Sequence, residues 1–163
     1  MQSVVRNLNQ TYSATPGSVS AARSRVADFA VAAGAAPTEV DAIRLAVSEA
    51  MTNAVLHAYR GEPGSIYVNA AVVAGELWIL ISDDGCGLQP RADRPGLGLG
   101  LGLISQVSDD FAIVSRASGG TEVRMRFSVA STAGSHSRAP FGGRGSDADE
   151  ARRPGFSPSM SLA

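Results

Sequence analysis

Apolar residues return along the first 129 positions with two different periods, and the changes of period mark the elements. Val4 to Tyr12 reads as an opening strand. Over residues 17–33, Val19, Ala22, Val26, Phe29 and Ala30 fall on one helical face before Gly34 ends the run. The clearest element spans about residues 38–59. Thr38, following Pro37, is placed as its N-cap, Glu39 and Asp41 occupy the first turn that favours negative charge, and Gly61 lies just past its end. Ile43, Val47, Ala50, Met51, Ala54 and Ala58 form its packing stripe. Residues 65–73 and 77–83 then alternate or run apolar around an Ala74-Gly75-Glu76 hairpin turn. A glycine-rich segment leads into a short helix from Leu99 to Val107. Strands at about 111–117 and 121–129 follow, joined across Ser118-Gly119-Gly120. This order predicts an α+β chain with helices on one face of a mixed sheet.

Residues 130–163 break the pattern, with Ser131, Gly134, Ser135, Ser137, Gly142, Gly143, Gly145 and Ser146 among few large apolar side chains. Such a stretch buries too little surface to offset its ordering entropy and predicts a disordered tail. Phe141, Phe156 and His136 fall within it. The ordered domain is placed at residues 1–129.

Composition narrows the functional classes. A net charge of −1 gives no general attraction for polyanions, and direct nucleic-acid binding is not expected. All 14 basic residues are arginine, which excludes a phosphate-loop lysine and a Schiff-base lysine. A single cysteine, Cys86, forms no internal disulfide and fits a reducing compartment. No apolar run approaches the ~20 residues of a membrane helix, and no basic-then-apolar leader opens the chain, so a cytoplasmic location without membrane attachment is expected.

Three segments carry candidate chemistry. In Glu49-Ala50-Met51-Thr52-Asn53 the acid and the amide stand four apart and project from one helix face, with His57 continuing the line. A carboxylate there can take a proton from an attacking hydroxyl, and an amide oxygen can ligate Mg²⁺; an ordinary solvated face is the alternative. Asp83-Asp84-Gly85-Cys86-Gly87 follows a strand. A buried acid before two glycines lets backbone approach a flat ligand and can accept a hydrogen bond from an adenine amino group, although Asp-Gly also makes common turns. Gly96-Leu97-Gly98-Leu99-Gly100-Leu101-Gly102 exposes backbone N–H groups at a helix start, suited to phosphate; a hinge is the alternative. It matches neither a dinucleotide fingerprint nor a phosphate loop.

Taken in order, these segments resemble the GHKL ATPase superfamily, and within it the bacterial anti-sigma-factor serine kinases. Val47 to Tyr59 is similar to that family's Asn box, Asp83 to Gly87 to its first glycine box and Gly98-Leu99-Gly100 to its second. Gly119-Gly120-Thr121 is similar to its closing Gly-Thr element. The resemblance covers roughly residues 4–129. It implies a two-layer α/β sandwich of the Bergerat type with a mostly antiparallel sheet, binding ATP with Mg²⁺. It further implies that Glu49 is the general base and Asn53 the Mg²⁺ ligand, and that Asp83 reads the adenine amino group. Gly85 and Gly87 would let the base lie flat, Gly98 and Gly100 would cradle phosphates, and Thr121 would lie beside the nucleotide. The implied partners are a STAS-type antagonist carrying the accepting serine or threonine and a sigma factor, with a homodimer as the assembly.

The sequence departs from the pattern in its lid. Only ten residues separate Gly87 from Gly98, with Arg91 and Arg94 among them. A short lid shields the terminal phosphate less and favours, as an alternative function, a nucleotide-gated binding module with little catalysis. A detached histidine kinase catalytic domain lacks here its phospho-accepting helical hairpin, and two histidines without ligand spacing speak against a metal hydrolase.

Overall fold

The computed structural model describes residues 6–87 and 99–129. The segment between them, which includes Arg91, Arg94 and Gly98, and the predicted tail lie outside the described residues.

Five strands and three helices form two layers. In chain order they are β1 (Arg6–Ser13), α1 (Pro16–Ala32), α2 (Pro37–Asn53), β2 (Ser65–Val73), β3 (Glu76–Asp83), α3 (Leu99–Val107), β4 (Asp110–Ser115) and β5 (Thr121–Ser128). The sheet order is β1-β2-β3-β5-β4, and every neighbouring pair is antiparallel.

Register explains the layering. Val68 pairs with Ile81 and Ile81 with Val123, while Ala70 pairs with Ile79 and Ile79 with Met125. These side chains, with Ile66, Leu77 and Phe127, share one face and are buried beneath the helices. The opposite face carries Glu76, Trp78, Arg124 and Arg126. There Arg126 pairs with Glu76 and lies over the Trp78 ring, 5.8 Å from its centroid. A period-2 pattern with one covered face thus fixes which way Asp83, the last residue of β3, must point: it shares the helix-covered side with Ile79 and Ile81.

On α1 the buried residues are Ala22, Val26, Ala27 and Ala30, with Val19 and Phe29 partly buried beside them. Helix α2 buries Val40, Ile43, Ala46, Val47, Ala50 and Met51. Each large apolar side chain among these contributes about 1.5–3 kcal/mol. The helix begins two residues earlier than the Thr38 cap predicts. Pro37 takes the first helical position, where its missing N–H costs nothing, and the Ala36 N–H donates to the Glu39 carboxylate at 2.6 Å.

The hairpin between β2 and β3 turns through Ala74 (φ 51°) and Gly75 (φ 81°), between the paired residues Val73 and Glu76. Two successive left-handed residues match the right-handed twist of the flanking strands.

Candidate nucleotide site

The packing stripe of α2 sets the rotation of Glu49 and Asn53. With Val47, Ala50, Met51 and Ala54 buried, these two residues remain half-buried on the side facing α3. Helix α3 runs back along α2. Its start lies beside Glu49 and Asn53, and Val107 at its end lines a cleft with Thr38 and Ala42. A Cβ on Gly100 would come 2.5 Å from Glu49 Oε2 and 3.7 Å from Asn53 Nδ2. Acid and amide therefore converge on bare backbone at the foot of α3. The Asn53 Nδ2 atom is buried without a hydrogen-bond partner among the described residues. Leaving a buried donor unpaired costs about 1–3 kcal/mol, and such an orphan marks a place for a ligand. Rotation of the amide by half a turn would present its oxygen there instead.

Sequence periodicity predicts one uninterrupted helix to about residue 59, but the α-helix ends at Asn53. Ala54–Ala58 continue it as a π-helical turn, closed by Arg60 (φ 52°) and Gly61 (φ 90°). The Ala58 carbonyl, at the helix end and without an intrahelical partner, accepts the Cys86 N–H at 2.8 Å. The loop after β3 is seated on this carbonyl so closely that a Cβ on Gly85 would overlap the Ala58 oxygen. The Cys86 thiol adds a contact to the His57 carbonyl at 3.4 Å. Through this docking the Asp83 loop lies one turn beyond Asn53.

Asp83 is only 6% exposed. Its Oδ1 accepts the Gly85 N–H at 2.9 Å and the Thr121 N–H at 3.3 Å. Burial raises its pKa above the ordinary aspartate range, and the neighbouring Asp84 charge pushes the same way. The two backbone donors and Arg116 pull it down, without cancelling the rise. The carboxylate keeps Oδ2 for a further donor. Across the loop, a Cβ on Gly120 would overlap the Asp83 carbonyl oxygen, and Gly120 holds φ 83°. Gly87, at φ 71°, lies against the Gly120 carbonyl. Only glycine allows three turns to meet this closely.

The structure thus brings together Glu49, Asn53, Asp83, Gly85, Gly87, Gly100 and Thr121 around the end of α2; Gly98 lies outside the described residues. A helix-borne acid and amide, a buried strand-end aspartate and a bare helix start form one site. A family model described as a histidine kinase-like ATPase domain matches residues 12–127. The chain belongs to the histidine kinase-like ATPase family. Membership makes this an ATP-binding fold.

Among proteins similar to this ATPase, the anti-sigma F factor of Clostridium acetobutylicum is 30% identical over 116 residues, covering 64% of this chain and 81% of that protein. The anti-sigma F factor of Halalkalibacterium halodurans is 29% identical over 133 residues, covering 73% and 90%. That of Clostridium botulinum strain Eklund 17B is 34% identical over 117 residues, covering 63% and 82%. A solved structure of the RsbU and RsbW domains of a Mycobacterium tuberculosis protein shares the fold, with TM-score 0.61 and 24% identity. The match spans 76% of this chain and 32% of that longer one. The expected recognition and two-layer fold are borne out, and the sheet proves antiparallel throughout the described residues.

The residues present fit ATP with Mg²⁺. The Asn53 amide, unpaired among the described residues, lies beside the bare Gly100 backbone and suits a charged phosphate chain, and Asp83 offers an acceptor in the neighbouring loop. Among the described residues no group of three or more His, Cys, Asp or Glu side chains could hold a metal ion by itself. One amide ligand suits an ion that shares its coordination with phosphate oxygens.

Two contributors escaped sequence reasoning. The Tyr59 hydroxyl donates to the Ser65 carbonyl and accepts the Asp84 N–H at 2.9 Å, and its ring fills the space beside Gly64. Arg116 bonds the Asp83 carbonyl at 2.9 Å and pairs with Asp84. Tyr59 ends the Asn-box segment, a signal of sorts; Arg116 carried none.

Proposed function

We propose that this protein is an ATP-dependent protein serine/threonine kinase of the anti-sigma type. It phosphorylates a small STAS-type antagonist and, when freed from it, holds a sigma factor. The observation that carries the reading is the convergence of Glu49 and the unpartnered Asn53 amide on the Gly100 backbone. Residues 1–129 are taken as the kinase domain, acting in the cytoplasm as a homodimer.

In this reading Asp83 Oδ2 accepts the adenine amino hydrogen, while Gly85 and Gly87, bare against the Ala58 and Gly120 carbonyls, let the loop close tightly so that the base lies flat against it. Asn53 supplies the amide oxygen that ligates Mg²⁺, and the N–H groups at the start of α3, with Gly98 and Gly100, receive phosphate oxygens. ATP would supply the phosphoryl group, and Mg²⁺ held by Asn53 would neutralise part of its charge. Glu49, one helical turn from Asn53, accepts the proton of the incoming serine or threonine hydroxyl as its oxygen attacks the γ-phosphorus; the bond from that phosphorus to the β-phosphate oxygen breaks and ADP leaves. Thr121 lines the nucleotide beside Asp83. The similarity to proteins named anti-sigma F factors supports the choice of partners.

The test incubates the full chain with [γ-³²P]ATP and purified STAS-domain proteins from its own cell. Label is expected on a serine or threonine of one partner. Glu49→Gln should keep ATP affinity while losing about 10²–10⁴-fold in transfer rate. ATP binding with no transfer to any partner overturns the kinase assignment and leaves a nucleotide-gated binding module, while transfer undiminished in Glu49→Gln removes Glu49 as the general base.

A further inference from the structure

Arg116 directly follows β4, in the hairpin leading to β5. Its contacts are not those of a surface residue. Its Nη1 donates to the backbone carbonyl of Asp83 at 2.9 Å and also meets the Asp84 carboxylate. Its own backbone closes the hairpin: the Arg116 N–H donates to the Gly120 carbonyl at 3.2 Å, and the Gly119 N–H donates to the Arg116 carbonyl at 3.0 Å. One residue therefore ties the Arg116–Gly120 turn to the Asp83-Asp84 turn from both its backbone and its side chain.

That connection has a consequence for Asp83. Thr121 N–H, the longer of the two donors to Asp83 Oδ1, follows directly on Gly120. Its reach to Asp83 depends on how tightly the two turns are closed. Gly120 already approaches the Asp83 carbonyl too closely for any side chain, so the closure leaves no slack. The Arg116–Asp84 pair is partly solvated, with the two side chains 29% and 45% exposed, and a pair in that setting adds little to global stability. Its effect is on position.

We infer that Arg116 is a positioning residue of the nucleotide site, clipping the β4–β5 turn onto the β3 end so that the Asp83 carboxylate is held with Oδ2 facing the adenine. This rests on the ATP reading of the site. It does not touch the nucleotide itself, which separates it from the glycines and from Asn53.

The experiment compares wild type, Arg116→Ala, Arg116→Lys and Arg124→Ala, the last as a control because Arg124 pairs with Glu122 away from Asp83. Calorimetry measures Mg²⁺-ATP, Mg²⁺-ADP and AMP binding. Amide hydrogen exchange at Gly85 and Thr121 is followed in the nucleotide-free protein. Arg116→Ala is expected to weaken all three nucleotides alike, by about tenfold, the loss of one charge-assisted restraint. It should speed exchange at Thr121 and Gly85 without a matching fall in thermal midpoint. Arg116→Lys should recover part of both effects, since a single ammonium carries donors for both acceptors that Nη1 serves but sits on a shorter side chain. Arg124→Ala should change neither.

A loss that grows with the number of phosphates overturns the inference, because it would make Arg116 a phosphate ligand. Unchanged exchange and unchanged affinity in Arg116→Ala overturn it as well. If wild type binds no nucleotide, the ATP reading fails on its own. Accelerated exchange in Arg116→Ala would then still establish the clip, and unchanged exchange would remove both.

Discussion

Replacing Asp83 by asparagine separates the site's two demands, because the same burial that makes the carboxylate useful also makes it costly. In the native protein Oδ1 is occupied by the Gly85 and Thr121 N–H groups and Oδ2 remains for the adenine amino group. Asparagine can keep the two backbone bonds through its remaining oxygen. Its NH₂ then faces the adenine NH₂, donor against donor. A hydrogen bond to a charged acceptor is worth about 1.5–3 kcal/mol, so ATP affinity should fall about 10- to 100-fold. Stability should move the other way. The folded-state pKa of Asp83 is raised by burial, so the charged form costs stability at every pH above that value. The cost disappears as pH falls through the raised pKa toward 3.8, the ordinary value. Asp83→Asn should therefore raise the thermal midpoint of the nucleotide-free protein at pH 7 and leave it unchanged near pH 3. In parallel, wild-type ATP affinity should weaken on acidification from a pH above the usual aspartate range, and this limb should vanish in the variant. Calorimetry and thermal melts across pH measure both. Affinity within threefold of wild type, or a variant less stable at pH 7 than at pH 3 relative to wild type, refutes the reasoning.

Three further substitutions probe other walls of the site. Asn53→Ala removes the buried orphan amide: it should reduce ATP affinity about tenfold or more with Mg²⁺ present, much less in EDTA, and slightly stabilise the empty protein by calorimetry and thermal melt. Gly85→Ala drives a methyl group into the Ala58 carbonyl and should cost about 2–4 kcal/mol in denaturant unfolding, with ATP binding lost. Gly100→Ala meets only the end of the flexible Glu49 side chain, so it should leave the fold intact while displacing that carboxylate and slowing transfer at least tenfold in the phosphorylation assay.

The elements were legible in the sequence wherever burial was one-sided. Alternation along β2 and β3 and the stripe of α2 each have a single way to hide their apolar side, and the bounds of both strands and the start of the helix followed within a residue or two. The π-helical turn at Ala54–Ala58 was not legible, because Ala54 and Ala58 satisfy α-helical spacing equally well and the loop that docks on Ala58 is remote in sequence. Glu49, Asn53 and Asp83 could be picked out because chemistry and spacing coincide. Arg116 could not, since its role comes from a turn-to-turn contact 33 residues apart in the chain. Gly120 lay within a recognised motif, yet only the geometry shows that it yields space to the Asp83 carbonyl rather than to a ligand.

The central claim is that the end of α2, the Asp83 loop and the foot of α3 enclose one nucleotide. A ¹H–¹⁵N correlation titration of the labelled chain with Mg²⁺-ATP reads this residue by residue. The amides of Gly85, Gly87, Gly100 and Thr121 and the side-chain amide of Asn53 should shift together and saturate at one dissociation constant. Absence of saturable shifts, or shifts gathered instead around Thr38, Val107 and Phe127 at the far end of the helices, would contradict it.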